Sequence, residues 1–215
     1  MAKDIFRHAD RALSIIRRDL SGSFQALSGQ LGFDELNVLE TRSRVNAMYR
    51  ALDERIRKRY VEIAEAAYMD ALRETRKVRD DFDAYTFVNA MLTAFDPVSD
   101  FIYEREWTRK RDRLFESIIA TQIGNQEMRG NLKRGMDVLY NQIRQYADNI
   151  TSKARMEAFR RMDVRYVMWV SERDEKVCAD CDTMDGTVFP IDEAPEIPAH
   201  WHCRCKYVPA VRKEN

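Results

Sequence analysis

The sequence predicts a mainly α protein of the α+β class. An elongated helical bundle is expected over residues 1–162, followed by a small β-rich C-terminal module over residues 163–215. Three observations predict this. Helix breakers are scarce, with Gly 7 and Pro 5 in 215 residues, and no glycine stands between Gly32 and Gly124. Apolar residues before Asp163 recur at steps of three and four, the period of one helix face. From Asp163 the period falls to two, and four of the five prolines, all four cysteines and two of the three histidines lie beyond it.

Ala2 to Leu20 reads as the first amphipathic helix, with Ile5, Ala9, Leu13, Ile16 and Leu20 on one face. Ser21-Gly22-Ser23 is expected to end it. A long helix is expected from Asp34, as its cap, into the 70s. Its apolar stripe is Val45, Met48, Leu52, Ile56, Tyr60, Ile63 and Ala67. Asp80-Asp81-Phe82-Asp83 reads as a break and Tyr85 to Phe95 as a short helix. Asp96 is expected to cap the next helix, with Pro97 at its first position, and Gly124 to end it. Met128, Leu132, Leu139, Ile143 and Tyr146 mark another helix, and Thr151 reads as the cap of a last one.

Beyond Asp163, Val164, Tyr166, Met168 and Val170 alternate with Arg165, Val167, Trp169 and Ser171, the pattern of a strand. Thr187-Val188-Phe189 and Lys206-Tyr207-Val208 predict two more. Asp185-Gly186 signals a turn that needs a positive φ at the glycine.

Charge separates the two regions. Lys+Arg 36 balance Asp+Glu 36, but residues from Asp163 onward hold 7 basic and 11 acidic side chains. Any affinity for DNA is therefore expected in the helical part. The basic run Arg109-Lys110-Arg111-Asp112-Arg113 has Glu104, Glu106 and Glu116 close by, which favours a solvated helix face over a phosphate contact. No run of 18 apolar residues exists, so no membrane span is expected. Met1 to Leu20 lacks the continuous apolar core of a secretory signal. In a cytoplasm, four cysteines point to metal binding before disulfides.

The chemistry is concentrated in one constellation. Cys178-Ala-Asp-Cys181 is followed, nineteen residues beyond Cys181, by His200-Trp-His202-Cys203-Arg-Cys205. Six candidate ligands thus lie within 28 residues, where zinc needs four in a tetrahedron. His200 and Cys203 can complete the site opposite the Cys-x-x-Cys pair. Alternatively, Cys203 and Cys205, two apart on a strand, point to one face and complete a four-cysteine site. A segment of about fifty residues buries too little apolar surface to fold alone. A structural zinc supplies on the order of 10 kcal/mol of apparent folding energy, so a zinc-stapled module is expected, against oxidised cysteine pairs or inert thiols.

A catalytic metal is not expected. No His-x-Glu precedes Cys178, the residue before Cys178 is Val177 where zinc deaminases have proline, and His-Glu-x-x-His is absent. A redox Cys-x-x-Cys needs a βαβ context that the sequence lacks, a turn between short strands being expected instead. Asp182, Asp185, Glu193 and Glu196 read as loop acids with no partner base, and His8 as a boundary residue of the first helix.

The ordered wording of this region resembles a known family. Tyr166-Val-Met-Trp169 leads to Asp174 and the Cys178/Cys181 pair. Met184-Asp185-Gly186 then leads to Phe189, and Pro198-Ala-His200-Trp-His-Cys203-Arg204-Cys205 closes the pattern. Over about Thr151 to Pro209 this is similar to the phage Mu protein F-like minor head proteins. The helical part offers no motif of that family to quote.

The resemblance implies a non-enzymatic structural protein of the virion, with Cys178, Cys181, His200, Cys203 and Cys205 as metal residues. It implies a place in the procapsid interior near the portal, in a protein made in the host bacterial cytoplasm. Head assembly, DNA packaging or DNA ejection are the expected roles. The expected partners are portal, scaffold or major capsid protein and, in addition, phage DNA; neither a membrane nor a small-molecule substrate is expected. The alternatives are a nucleic-acid-binding zinc module and, behind it, a toxin or other enzyme. Relatives can carry toxin or enzyme domains after the module. Asn215 lies ten residues past Cys205, so none is expected in this polypeptide.

Overall fold

The computed structural model describes residues 5–31, 37–75, 81–97, 100–121, 125–171 and 177–211. Helices α1 (Arg7–Gln30), α2 (Val38–Thr75), α3 (Ala84–Thr93), α4 (Tyr103–Ala120) and α5 (Asn125–Arg161) precede a small sheet. The protein is thus mostly helical with a small antiparallel C-terminal sheet, as the sequence predicts. A two-residue ladder, β1 (Phe95–Asp96) with β2 (Phe101–Ile102), joins α3 to α4. α2 has 38 residues and α5 has 37, about 55 Å each at 1.5 Å per residue.

α1 runs straight through Ser21-Gly22-Ser23, which was expected to end it. The apolar stripe continues past the glycine: Leu13, Ile16, Leu20, Phe24 and Leu27 are all buried. One helical glycine costs about 1 kcal/mol, less than two large side chains gain by burial. Asp34 lies outside the described residues. The cap of α2 is Asn37, whose side chain accepts from the Glu40 N–H at 3.1 Å. Asp83 closes the expected break by capping α3, its carboxylate accepting from the Thr86 N–H at 3.0 Å.

Two further expectations are corrected. Asp96 caps no helix: it is buried in β1, where its carboxylate accepts from Asn149 Nδ2 at 2.9 Å. α4 instead begins at Tyr103, behind Ile102. Thr151 is no cap either. α5 passes through it unbroken, and the Thr151 hydroxyl donates to the Ala147 carbonyl one turn back. Gly124 lies outside the described residues; α4 ends at Ala120.

α1, α2, α4 and α5 share the main core, where Tyr49, Tyr103, Trp107 and Tyr146 pack edge to face or stacked. α1 is pinned to α2 by Arg7, whose guanidinium lies 3.0 Å from the buried Asp70 carboxylate. His8 flanks the same carboxylate at 3.3 Å, at the margin of the helix face as its position suggested.

The second region is a three-stranded antiparallel sheet, β3 (Tyr166–Val170) between β4 (Val188–Pro190) and β5 (Lys206–Ala210). A short helix, α6 (Ala179–Met184), lies between β3 and β4. The predicted alternation holds in β3: Val167 and Trp169 face inward and are buried. Asp163 leaves α5 through a positive φ of 55°. Gly186 takes φ 78°, as the Asp-Gly signal required. Val167, Trp169 and Tyr207 of the sheet share a core with Tyr68, Ala71 and Leu72 of α2 and with Ala158 and Phe159 of α5.

Candidate metal centre

The local fold explains how two distant chain segments meet. Cys178 is the N-cap of α6, and its sulfur accepts from the Cys181 N–H at 3.4 Å. The expected turn at Cys-x-x-Cys is thus the first turn of a helix, and one helical turn returns Cys181 to the same side. The Asp185-Gly186 turn ties the end of α6 to the sheet. Gly186 N–H donates to the Trp169 carbonyl at 2.9 Å, and Ser171 N–H to Asp185 Oδ1 at 2.9 Å. From the other side comes the His200–Cys205 loop, closed by the Cys203 N–H on the His200 carbonyl at 3.1 Å. Cys203 and Cys205 precede β5 instead of lying on a strand, yet both are buried.

The donors converge. His200 Nε2 stands 3.2 Å from Cys178 Sγ and 3.2 Å from Cys181 Sγ, and Cys181 Sγ stands 3.7 Å from Cys203 Sγ. Cys178, Cys181 and His200 form one compact triad and Cys181, Cys203 and Cys205 another, each with donor atoms within 4.8 Å of one another. Cys181 belongs to both. His202, the sixth candidate, belongs to neither, although it lines the same open cleft of about 450 Å³.

The donor set fits a zinc ion. With Zn–S near 2.3 Å and Zn–N near 2.0 Å, a tetrahedron has edges of roughly 3.8 Å between sulfurs and 3.5 Å between sulfur and nitrogen. The three observed separations, His200 to each of Cys178 and Cys181 and Cys181 to Cys203, lie within a few tenths of an ångström of these. The histidine is prepared as well. His200 Nδ1 lies 2.9 Å from the Trp201 carbonyl, which can only accept, so Nδ1 carries the proton and Nε2 presents its lone pair to the sulfurs.

Electrostatics divide the thiols. Hydrogen bonding from the Cys181 backbone holds the Cys178 thiol below its usual range. Burial pushes Cys181 up to about 12. A hydrogen bond from the Cys205 side chain draws Cys203 down, against the effect of burial. The same bond holds the proton on Cys205 and raises it. The hydrogen bond to Trp201 raises His200, while burial lowers His202.

One residue of the centre carried no sequence signal. Gln145 of α5 is fully buried, and its Oε1 accepts from the His202 N–H at 2.8 Å. It stands 57 positions from its partner, inside an ordinary helix. The only trace is a polar residue set among the apolar positions Ile143, Tyr146 and Ala147.

A mainly helical protein with a C-terminal Cys/His cluster able to hold a metal ion is the class that fold and site define. Residues 111–208 match the family model described as Phage Mu protein F like protein, and that stretch of the chain is similar to the phage Mu protein F-like family. The match begins inside α4, so it takes in all of α5 as well as the cysteine module. That likeness points to a phage head morphogenesis or structural protein associated with other head components. Searches of curated proteins and of solved structures returned no significant match. No helix among the described residues is long and apolar enough to cross a membrane.

Proposed function

We propose that this chain is a minor structural protein of the phage head, seated near the portal vertex and acting in head assembly, DNA packaging or DNA ejection. Its role is non-enzymatic, and its partners are portal, scaffold or major capsid protein. Residues 163–215 act as a docking module whose shape is kept by one structural zinc on Cys178, Cys181, His200 and Cys203. Cys205 serves as hydrogen-bond donor to the Cys203 thiolate.

The observation that carries this reading is the coincidence of the family match with the geometry of the Cys/His residues inside it. The family match spans residues 111–208, and inside it the two Cys/His segments meet around Cys181 through contacts of 3.2, 3.2 and 3.7 Å. All-protein ligation leaves no open position for substrate, which favours a structural over a catalytic ion. The DNA-binding alternative gains little from the basic run of α4. Arg109 and Lys110 lie against Glu106, and Arg111 against Asp112.

Mass spectrometry of purified procapsids and virions tests the assignment. The chain is expected in one or both. Its absence from both, in cells that make it, rejects a head role.

A further inference from the structure

The loop that brings His200, Cys203 and Cys205 together is held from outside the module. His202 sits at φ 60°, a left-handed backbone conformation that a non-glycine residue adopts only at a steric cost. Its N–H donates to Gln145 Oε1 at 2.8 Å. Gln145 Nε2 donates to Asn149 Oδ1 at 3.0 Å, one turn along α5, and Asn149 Nδ2 donates to Asp96 Oδ2 at 2.9 Å in the β1–β2 ladder. Gln145, Asn149 and Asp96 are 0%, 1% and 5% exposed.

The relay has one direction only. A backbone N–H can only donate, so it sets the Gln145 oxygen toward the loop and the amide nitrogen toward Asn149. Asn149 must then accept from Gln145 and donate to Asp96, whose carboxylate accepts. An aromatic contact runs alongside: the Phe101 ring, in the strand paired with Asp96, lies 6.2 Å from Trp201 and 6.0 Å from Tyr146.

We propose that Gln145 is a positioning residue of the metal centre, and that the Gln145–Asn149–Asp96 relay couples ion loading at the cysteine cluster to the order of the β1–β2 ladder. The inference rests on the zinc reading above. Buried amides left half-satisfied are costly, so a loop that collapses without its ion withdraws the His202 N–H and loosens the relay down to Asp96. Groups that orient a metal-binding segment from behind typically change metal affinity by about 10–100-fold when removed.

The test uses the full chain of wild type, Gln145→Ala, Asn149→Ala and Asp96→Asn, each checked for helix content. Zinc affinity is read by competition with a chromophoric chelator. Amide hydrogen exchange over residues 95–102 is read with zinc and after its removal. Wild type is expected to show slower exchange in the ladder when zinc is bound. Gln145→Ala should bind zinc about tenfold or more weakly and lose that response. Asn149→Ala, which leaves the His202 contact in place, should lose the response with less than about threefold change in affinity. Asp96→Asn, which still offers an acceptor to Asn149, should retain it.

Wild-type affinity in Gln145→Ala, or ladder exchange in wild type that ignores zinc, would overturn the coupling while leaving the zinc site standing. A wild-type chain that takes up no zinc would overturn both. If Gln145→Ala fails to fold, the contrast between Asn149→Ala and Asp96→Asn decides alone.

Discussion

The sulfurs of Cys181 and Cys203 lie 3.7 Å apart although 22 positions separate them. That distance is the sulfur–sulfur edge of a zinc tetrahedron, and it makes Cys181 the donor whose loss matters most. Wild type is expected to hold one zinc ion per chain in elemental analysis, and in Cys181→Ser the zinc should fall to background. The environment of Trp169 should loosen, while far-UV helix signal is largely kept. Full folding of this variant in a strong chelator rejects the metal staple. His200→Ala should lose the ion and Cys205→Ser should keep it. The reverse result would assign a four-cysteine site.

Asp148 gives a pH dependence. It is 2% exposed in α5, with one carboxylate oxygen unpartnered. Burial raises its carboxyl to about 7, against the pull of Arg204 and Arg144. The folded state therefore binds a proton that the unfolded state releases near pH 4, and stability from this group falls as pH rises from about 4 through 7. Asp148→Asn should be more stable than wild type at pH 8, on the order of 2 kcal/mol, with the gain shrinking toward pH 5. Denaturant midpoints at the two pH values measure it, and a constant difference excludes the buried carboxylate as its cause.

Two helical glycines should respond in opposite ways. A Cβ at Gly22 meets nothing within 4 Å, whereas at Gly135 it meets Leu114 Cδ1 at 2.8 Å. Gly22→Ala should gain about 0.5–1 kcal/mol from helix propensity. Gly135→Ala should gain nothing or lose up to about 1 kcal/mol, because the buried Leu114 side chain must give way. Thermal unfolding of both variants decides.

Tyr60 is fully buried and donates its hydroxyl to the Ile143 carbonyl at 3.1 Å, tying α2 to α5. Tyr60→Phe removes one neutral hydrogen bond and should cost about 1 kcal/mol, a fall in Tm of roughly 2–4 °C. A Tm unchanged by the substitution would show that the bond adds nothing net.

What the sequence could reveal follows the range of the forces involved. Helix stripes, the strand at Tyr166 and the turn at Gly186 rest on local periodicity and backbone sterics, so they were legible. The cysteine pairs were legible because their spacing is short. The extent of α1 was not, since Phe24 and Leu27 outweigh Gly22 only once α2 and α5 lie against them. Asp96 looked like a helix cap because its true partner, Asn149, stands 53 positions away. Thr151 looked like a cap for a local reason: a hydroxyl that can cap can equally bond back one turn inside a helix. The core that joins Tyr68 and Phe159 to Trp169 has no sequence signature, being the meeting of three distant segments.

The unbroken course of α5 makes it a ruler. As one continuous helix from Asn125 to Arg161, it spans roughly 55 Å, and the cysteine loop hangs from a point along it through Gln145. Neighbours gripping opposite ends of this rod would be spaced by the rise of a single hydrogen-bonded helix.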